Sequence, residues 1–375
     1  VTSTQLPDEI SVLRSPQDPT KTFGQFLEDK WSAVCGGLGT DLWETEGVLQ
    51  DLREALHPWG ERPVGTRCDP PSFVSADGFP AELSISWKAG RPEVRILFES
   101  LGSDGTPLGC QEAGRELTRR LAGRPGTDIA RYLDVEDLFL TSAPDRYRAT
   151  IWHSMAWRPG ERPHYKVYLN PQVHGLDRAY DVMAQAMHRL GLAEAWEPVA
   201  RRGEELARRG HELELMALDL DGGGTSRVKV YFRHLPMPMD ELDTVAASAH
   251  RHDPARAARA RTVIYGRDGG AVTNEPMTCL AFREGVPGPE EANVYLRLPD
   301  NTRTDAEAAV RVARLMELEG IDPRPHAEVL RRLTAELPEG AGQLQELCSY
   351  RTISPDLPAD IGLYLRFHTY ADPAI

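Results

Sequence analysis

Four tyrosines recur at a near-constant interval in this 375-residue chain: Tyr168, Tyr231, Tyr295 and Tyr364, spaced by 63, 64 and 69 residues. Lys166 stands two residues before the first and Lys229 two before the second. In an extended segment residues two apart share a face, so each lysine points the same way as its tyrosine. Arg227 joins that face in "SRVKVYFRH", and Arg95 has the comparable place in "EVRILFES". Cations crowded into one cavity repel by several kcal/mol at an effective dielectric of ~20 unless a polyanion neutralises them, and a diphosphate fits. Aromatic faces attract a cation by roughly 0.5–2 kcal/mol, and several rings around one position shelter a carbocation from water. A ring of tyrosines above a diphosphate site points to an allylic diphosphate. Glu82, on one face with Ser84 and Ser86 in "GFPAELSISW", can accept a hydrogen bond from a substrate N–H and take a proton as general base. Taken singly, each residue also reads as an ordinary strand charge or a lining tyrosine; the functional reading rests on the set.

The elements that must position these groups repeat as well. The strands "EVRILFES", "HYKVYLNP", "SRVKVYFRH", "ANVYLRLP" and "IGLYLRF" each follow another extended segment: "AELSISW", "TIWHSMAW", "ELELMALDL", "MTCLAFRE" and "LQELCSYRT". The connectors "KAGRP", "RPGERP", "DGGGTS", "GVPGPEE" and "SPDLPAD" have the composition of hairpin loops. Pairs of segments with apolar residues at three- and four-residue spacing, such as "LDRAYDVMAQAMHRL" with "EAWEPVARRGEELARR", precede each hairpin as amphipathic helices. The unit is helix, helix, strand, strand, repeated over about 19–100, 109–171, 174–234, 236–299 and 303–370, after an N-terminal extension at 1–18. Ten antiparallel strands with one apolar face each close most simply into a barrel wrapped by helices, with Val228, Val230 and Phe232 facing outward. An open sheet with a solvated polar face gives the same alternation; the recurring tyrosines favour the barrel.

Composition narrows the function classes. A hydrophobic content of 41%, a charged content of 27% and a net charge of −14 describe a globular, acidic chain, which argues against nucleic acid as partner. Cys35, Cys68, Cys110, Cys279 and Cys348 are far apart and form no CxxC pair, as expected of reduced thiols in a cytoplasmic protein. No 18-residue apolar window occurs, so no membrane partner is expected. There is no DDxxD segment to hold magnesium, and "DGGGTSR" lacks the Lys-Ser/Thr pair of a P-loop, so neither metal nor organic cofactor is expected.

At these residues the chain resembles the dimethylallyltryptophan synthase superfamily of aromatic prenyltransferases. The resemblance runs from Thr22 to Tyr370 and rests on "PAELSISW…VRILFES", "YKVYLNP", "RVKVYF", "NVYLRLP" and "SYRT…GLYLRF" in order. The stretches "PWGERPVGT", "VEDLF" and "HSMAWRPGERPHYKVYLNP" are most similar to bacterial enzymes acting on indoles, notably indolactam prenyltransferases. It implies the α+β ABBA prenyltransferase barrel as a single domain over 19–375, and a metal-independent Friedel–Crafts alkylation with dimethylallyl or geranyl diphosphate as donor. It implies a monomer or homodimer. Carried over, Glu82 holds the indole N–H, and Arg95, Lys166, Arg227, Lys229 and Asn293 hold the diphosphate, Asn293 standing where the family often has glutamine. Tyr168, Tyr231, Tyr295, Tyr364 and Tyr350 form the cation shield. His153 takes the place of a lysine found in C4-prenylating members and relays a proton, while Trp157 and Met277 line the cavity, a bulky Met277 favouring a five-carbon donor. Two other readings stay open: a phenol or tyrosine O-prenyltransferase, and a non-catalytic barrel that binds an anion.

Overall fold

Thr22 begins the first helix with a reciprocal cap: Gln25 N–H donates to its hydroxyl at 3.2 Å, and the Gln25 side-chain oxygen accepts from the Thr22 N–H at 3.0 Å. The computed structural model describes residues 20–144, 149–222, 226–299, 301–335 and 343–370. The N-terminal extension expected at 1–18 and the Gly223–Thr225 part of the third connector lie outside the described residues.

Ten strands form one closed antiparallel barrel: β1 (Ala81–Lys88), β2 (Arg91–Phe98), β3 (Ile151–Trp157), β4 (His164–Leu169), β5 (His211–Asp219), β6 (Val228–His234), β7 (Met277–Phe282), β8 (Glu291–Arg297), β9 (Gln345–Arg351) and β10 (Asp360–Leu365). Each pairs with its neighbours in sequence, and β1 closes the ring on β10, with Leu83 opposite Leu365 and Trp87 opposite Ile361. Closure leaves the barrel no exposed sheet edge. The first hairpin turns through Ala89 and Gly90, both at positive φ (49° and 77°), the requirement of a primed two-residue turn whose twist matches the strands it joins. Bulges interrupt pairing between Leu213 and Leu215 on β5 and between Gln345 and Leu347 on β9.

The helices lie outside: α1 (Phe23–Gly37), α2 (Leu42–Leu56), α3 (Pro107–Leu121), α4 (Ala130–Leu133), α5 (Ala179–Arg189), α6 (Ala193–Ala200), α7 (Gly203–Arg208), α8 (Asp243–Ala246), α9 (Pro254–Tyr265), α10 (Asp305–Leu318) and α11 (Arg324–Thr334). The strict two-helix unit is therefore irregular in the middle repeats. The segment expected as one helix over 194–209 runs through Pro198 to Ala200, breaks at Arg201–Arg202 and resumes at Gly203, dividing into α6 and α7. The first helix of the fourth repeat shrinks to the four residues of α8. α1 meets α11 at Gly37, where a Cβ would lie 2.6 Å from Val329 Cγ2, so the close approach requires glycine.

Two separate apolar clusters result. The larger lies between barrel and helices and includes Leu83, Ile85, Val228, Val230 and Phe232, all essentially inaccessible. At ~1.5–3 kcal/mol for each such side chain buried, this layer holds the barrel closed. The smaller lies inside the barrel: Tyr168, Leu215, Ala217, Tyr231, Cys279, Tyr295, Leu347 and Tyr364. Among the described residues no helix is long and apolar enough to cross a membrane.

Candidate active site

Alternation along the strands sorts the lumen into tiers. On β8 the inward residues run Glu291, Asn293, Tyr295, Arg297; the chain entering β6 presents Arg227, Lys229, Tyr231, Arg233; β4 presents Lys166 and Tyr168. Two residues of strand advance about 6.6 Å, so an upper charged tier, a middle tyrosine tier and a lower mixed tier follow one another down the barrel.

In the upper tier, Arg95, Lys166, Arg227 and Lys229 converge as expected, joined by Arg351 from β9, which sequence reasoning missed. These cations do not face one another bare. Arg95 pairs with Glu93 at 3.0 Å, Lys166 with Asp219, and Arg227 with Asp219 at 2.9 Å and Glu291 at 3.6 Å. Arg351 pairs with Glu291 at 2.6 Å and with Asp360, which also accepts the Ala89 N–H of the first hairpin turn at 3.1 Å. The neutralisation expected from a ligand alone is thus shared with carboxylates of the same tier. Although burial opposes its ionisation, Lys166 and Arg227 hold Asp219 well below the usual carboxylate range. Lys229 makes no ion pair with a described carboxylate, and burial together with Arg227 and Lys166 pushes its amine well below the usual lysine range. Asn293 sits just below, its Oδ1 buried and without a hydrogen-bond partner.

The middle tier is a contiguous arc of rings. Centroids are 5.9 Å apart for Tyr168 and Tyr231, 6.1 Å for Tyr231 and Tyr295, and 5.6 Å for Tyr295 and Tyr364. Burial raises the Tyr231 and Tyr295 hydroxyls well above their ordinary value, so these rings present the face of neutral phenols. Met277 packs against this cluster opposite Tyr295, with Leu97 and Trp152 also in contact.

Glu82 opens the lower tier. It pairs in register with Leu97, one pleat below the Ser84–Tyr364 pair, and so lies about 7 Å below the tyrosine arc. Burial, reinforced by the Glu346 carboxylate, pushes Glu82 up to about 8. Glu346 reaches this tier from the β9 bulge and is held by Arg297 at 2.6 Å; a bulge re-aims a side chain in a way strict alternation does not anticipate.

Three expected site residues face the other way. On β3 the inward residues are Trp152 and Ser154, opposite Tyr168 and Lys166, so His153 and Trp157 point into the helix layer. The His153 Nε2 lies 2.8 Å from Thr118 Oγ1 of α3, the ring stacks on Phe98, and burial depresses it to about 3. It fastens a helix to the barrel and does not reach the lumen. Trp152, one residue away, takes the lining place expected of Trp157. On β9 the inward residues are Ser349 and Arg351; Tyr350 lies among the helices and its hydroxyl donates to Glu319 Oε1 at 2.6 Å. The signal for Arg351 was present, since "SYR" puts Ser349 and Arg351 on one face. Tyr350, between them, belongs to the outward series.

A tryptophan dimethylallyltransferase family model matches residues 54–266. Among solved structures, the chain is similar to a 6-dimethylallyl tryptophan synthase at 28% identity and TM-score 0.84, covering 94% of this chain and 98% of that one. The 6-dimethylallyltryptophan synthase of Micromonospora olivasterospora, in complex with DMASPP and Trp, is similar at 29% identity and TM-score 0.82, over 94% and 99%. The 5-dimethylallyl tryptophan synthase of Streptomyces coelicolor, also with DMASPP and Trp, is similar at 26% identity and TM-score 0.82, over 95% and 98%.

Proposed function

The chain belongs to the tryptophan dimethylallyltransferase family, and we propose that it is a metal-independent prenyltransferase that moves a dimethylallyl group from its diphosphate onto an indole. The observation that carries this reading is the tier order: a cation cluster, a tyrosine arc beneath it, and the buried carboxyl of Glu82 about one pleat further down. The diphosphate rests on Arg95, Lys166, Arg227, Lys229 and Arg351, with the Asn293 amide as a further polar contact. These groups supply the positive charge that a bridging divalent ion would otherwise bring, which supports metal independence.

As the C1–O bond lengthens, negative charge develops on the diphosphate within the cation tier and positive charge on the allyl group within the arc of Tyr168, Tyr231, Tyr295 and Tyr364. An indole whose N–H points down to Glu82 spans the gap to the arc, because the bicycle is about as long as one strand pleat repeat. Donation from N–H to the carboxylate raises electron density in the ring that attacks. The proton then leaves the alkylated carbon for a base. Met277 beside Tyr295 limits the space behind the allyl group and favours a five-carbon donor.

Incubation with dimethylallyl diphosphate and a panel of tryptophan, cyclic dipeptides, indolactam and tyrosine, with products read by mass spectrometry and NMR, tests the reading. Carbon-prenylated indole formed equally with and without EDTA is expected. Oxygen-prenylated tyrosine as the sole product, or no turnover with any arene, would overturn it.

A further inference from the structure

Lys229 is set apart from the other cations of the upper tier. Its register partners are Ala217 on β5 and Ala281 on β7, so no charged side chain flanks it at its own level. The carboxylates one pleat above are committed to other cations, Asp219 to Lys166 and Arg227, and Glu291 to Arg351 and Arg227. Arg227, Lys166 and Arg351 all bear on its amine, opposed by the Cys279 thiol and by the charges of Asp219 and Glu291, which are already paired elsewhere, and burial with the cations prevails; the residue is 7% exposed. A buried ammonium without a partner among three other cations is the costly form; the neutral amine suits the empty site. A polyanion reverses that balance.

We propose that Lys229 is the proton carrier of the donor site, taking up one proton as a diphosphate enters and returning it to the leaving diphosphate as the C1–O bond breaks. The uptake half depends only on the cluster; the return half rests on the prenyl-transfer reading above. The step balances. The bonding pair of C1–O stays on the diphosphate oxygen, the allyl group departs as the cation, and the proton on the Lys229 nitrogen moves to the diphosphate, which leaves singly protonated. The arene then forms its bond to C1 and loses a proton to solvent through the base, so the net proton count is zero. The neighbouring groups do not serve. Guanidinium groups such as Arg227 and Arg351 do not give up their protons, and Lys166 has Asp219 against it. Lys88 at the rim, pushed down to about 7 by burial and Arg95, has its own carboxylate, Glu93, at 2.5 Å.

Calorimetry with inorganic diphosphate at pH 7.5, in buffers of different ionisation enthalpy, counts the protons taken up on binding. The wild type is expected to take up about one proton more than Lys229→Arg, whose side chain is charged throughout. In turnover with dimethylallyl diphosphate the wild-type kcat falls on the alkaline side, and the arginine variant lacks that limb. Equal proton counts for the two proteins would overturn the proposal whether or not prenyl transfer occurs. Should the variant fail to bind, titration of the wild type with sulfate, an anion of fixed charge in this range, decides: no proton uptake overturns it. Proton uptake without transfer to any arene would instead overturn the prenyl-transfer reading, and the return step with it.

Discussion

Glu82→Gln removes a charge while keeping the shape, and its consequences separate into activity, pH dependence and stability. Burial beside Glu346 pushes the Glu82 carboxyl up to about 8, so in the empty barrel at neutral pH it is largely protonated. The form that accepts the indole N–H is the carboxylate, so kcat/KM of the wild type has an acid limb that rises with pH up to about 8. Glutamine offers a neutral acceptor. Losing a hydrogen bond to a charged group costs about 1.5–3 kcal/mol, which corresponds to a roughly 10- to 150-fold fall in kcat/KM at pH 8.5, with the acid limb flattened. Stability moves the other way. The unfolded carboxyl ionises near 4.5 and the folded one near 8, so its contribution is fully present below 4.5 and is lost as pH rises through 8. At 1.36 kcal/mol per pH unit, the difference between those values makes the wild type lose on the order of 3–5 kcal/mol that the glutamine variant does not lose. Steady-state kinetics from pH 6 to 9.5 and thermal melts at pH 4.5 and 9 read both effects. Unchanged turnover would remove Glu82 from the mechanism. A retained acid limb in the variant would place that titrating group elsewhere, and a Tm difference equal at the two pH values would refute its burial as a neutral acid.

Other substitutions probe the tiers one at a time. Tyr231→Ala opens the centre of the ring arc; a cation–π contribution of about 0.5–2 kcal/mol predicts a 2- to 30-fold lower kcat and, as water enters, more dimethylallyl alcohol relative to prenylated indole by chromatography. Met277→Gly enlarges the lumen opposite Tyr295, so the kcat/KM ratio of geranyl to dimethylallyl diphosphate rises; an unchanged ratio would show that another residue sets chain length. Tyr350→Phe removes the hydroxyl that donates to Glu319 and is expected to cost about 1.5–3 kcal/mol in denaturant unfolding while leaving kcat intact, whereas a tyrosine of the shield would lower kcat. His153→Gln leaves the pH–rate profile unchanged if the imidazole only anchors α3, and a lost limb would contradict its outward orientation.

Much of the barrel was legible in the chain because its signals are local. Period-two alternation in segments such as "RVKVYF" makes a strand and assigns its faces, and repetition of the same pattern places Lys166 with Tyr168 and Lys229 with Tyr231 on common faces. Glu82, Arg95 and Asn293 also lie inward, as their alternation requires. The failures fall where alternation alone is ambiguous. In "TIWHSMAW" both faces carry aromatic residues, so composition does not say which is inside; the pairing of Trp152 with Tyr168 does. In "QELCSYR" a bulge and an outward tyrosine conceal the inward series ending in Arg351.

Alternation and repeat spacing, both properties of neighbouring residues, determined the ten strands, the barrel, the tyrosine arc and most of the cation set. Tertiary structure alone decided that Glu93, Asp219, Glu291 and Asp360 stand between those cations and that Lys229 has none of them as an ion-pair partner. It also decided that Glu346 comes near enough to Glu82 to raise its pKa. The physical reason is that a charge responds to every group around it in space, and the groups that set the state of Lys229 and Glu82 arrive on strands distant in the chain, aligned by register and by one bulge that no single segment encodes.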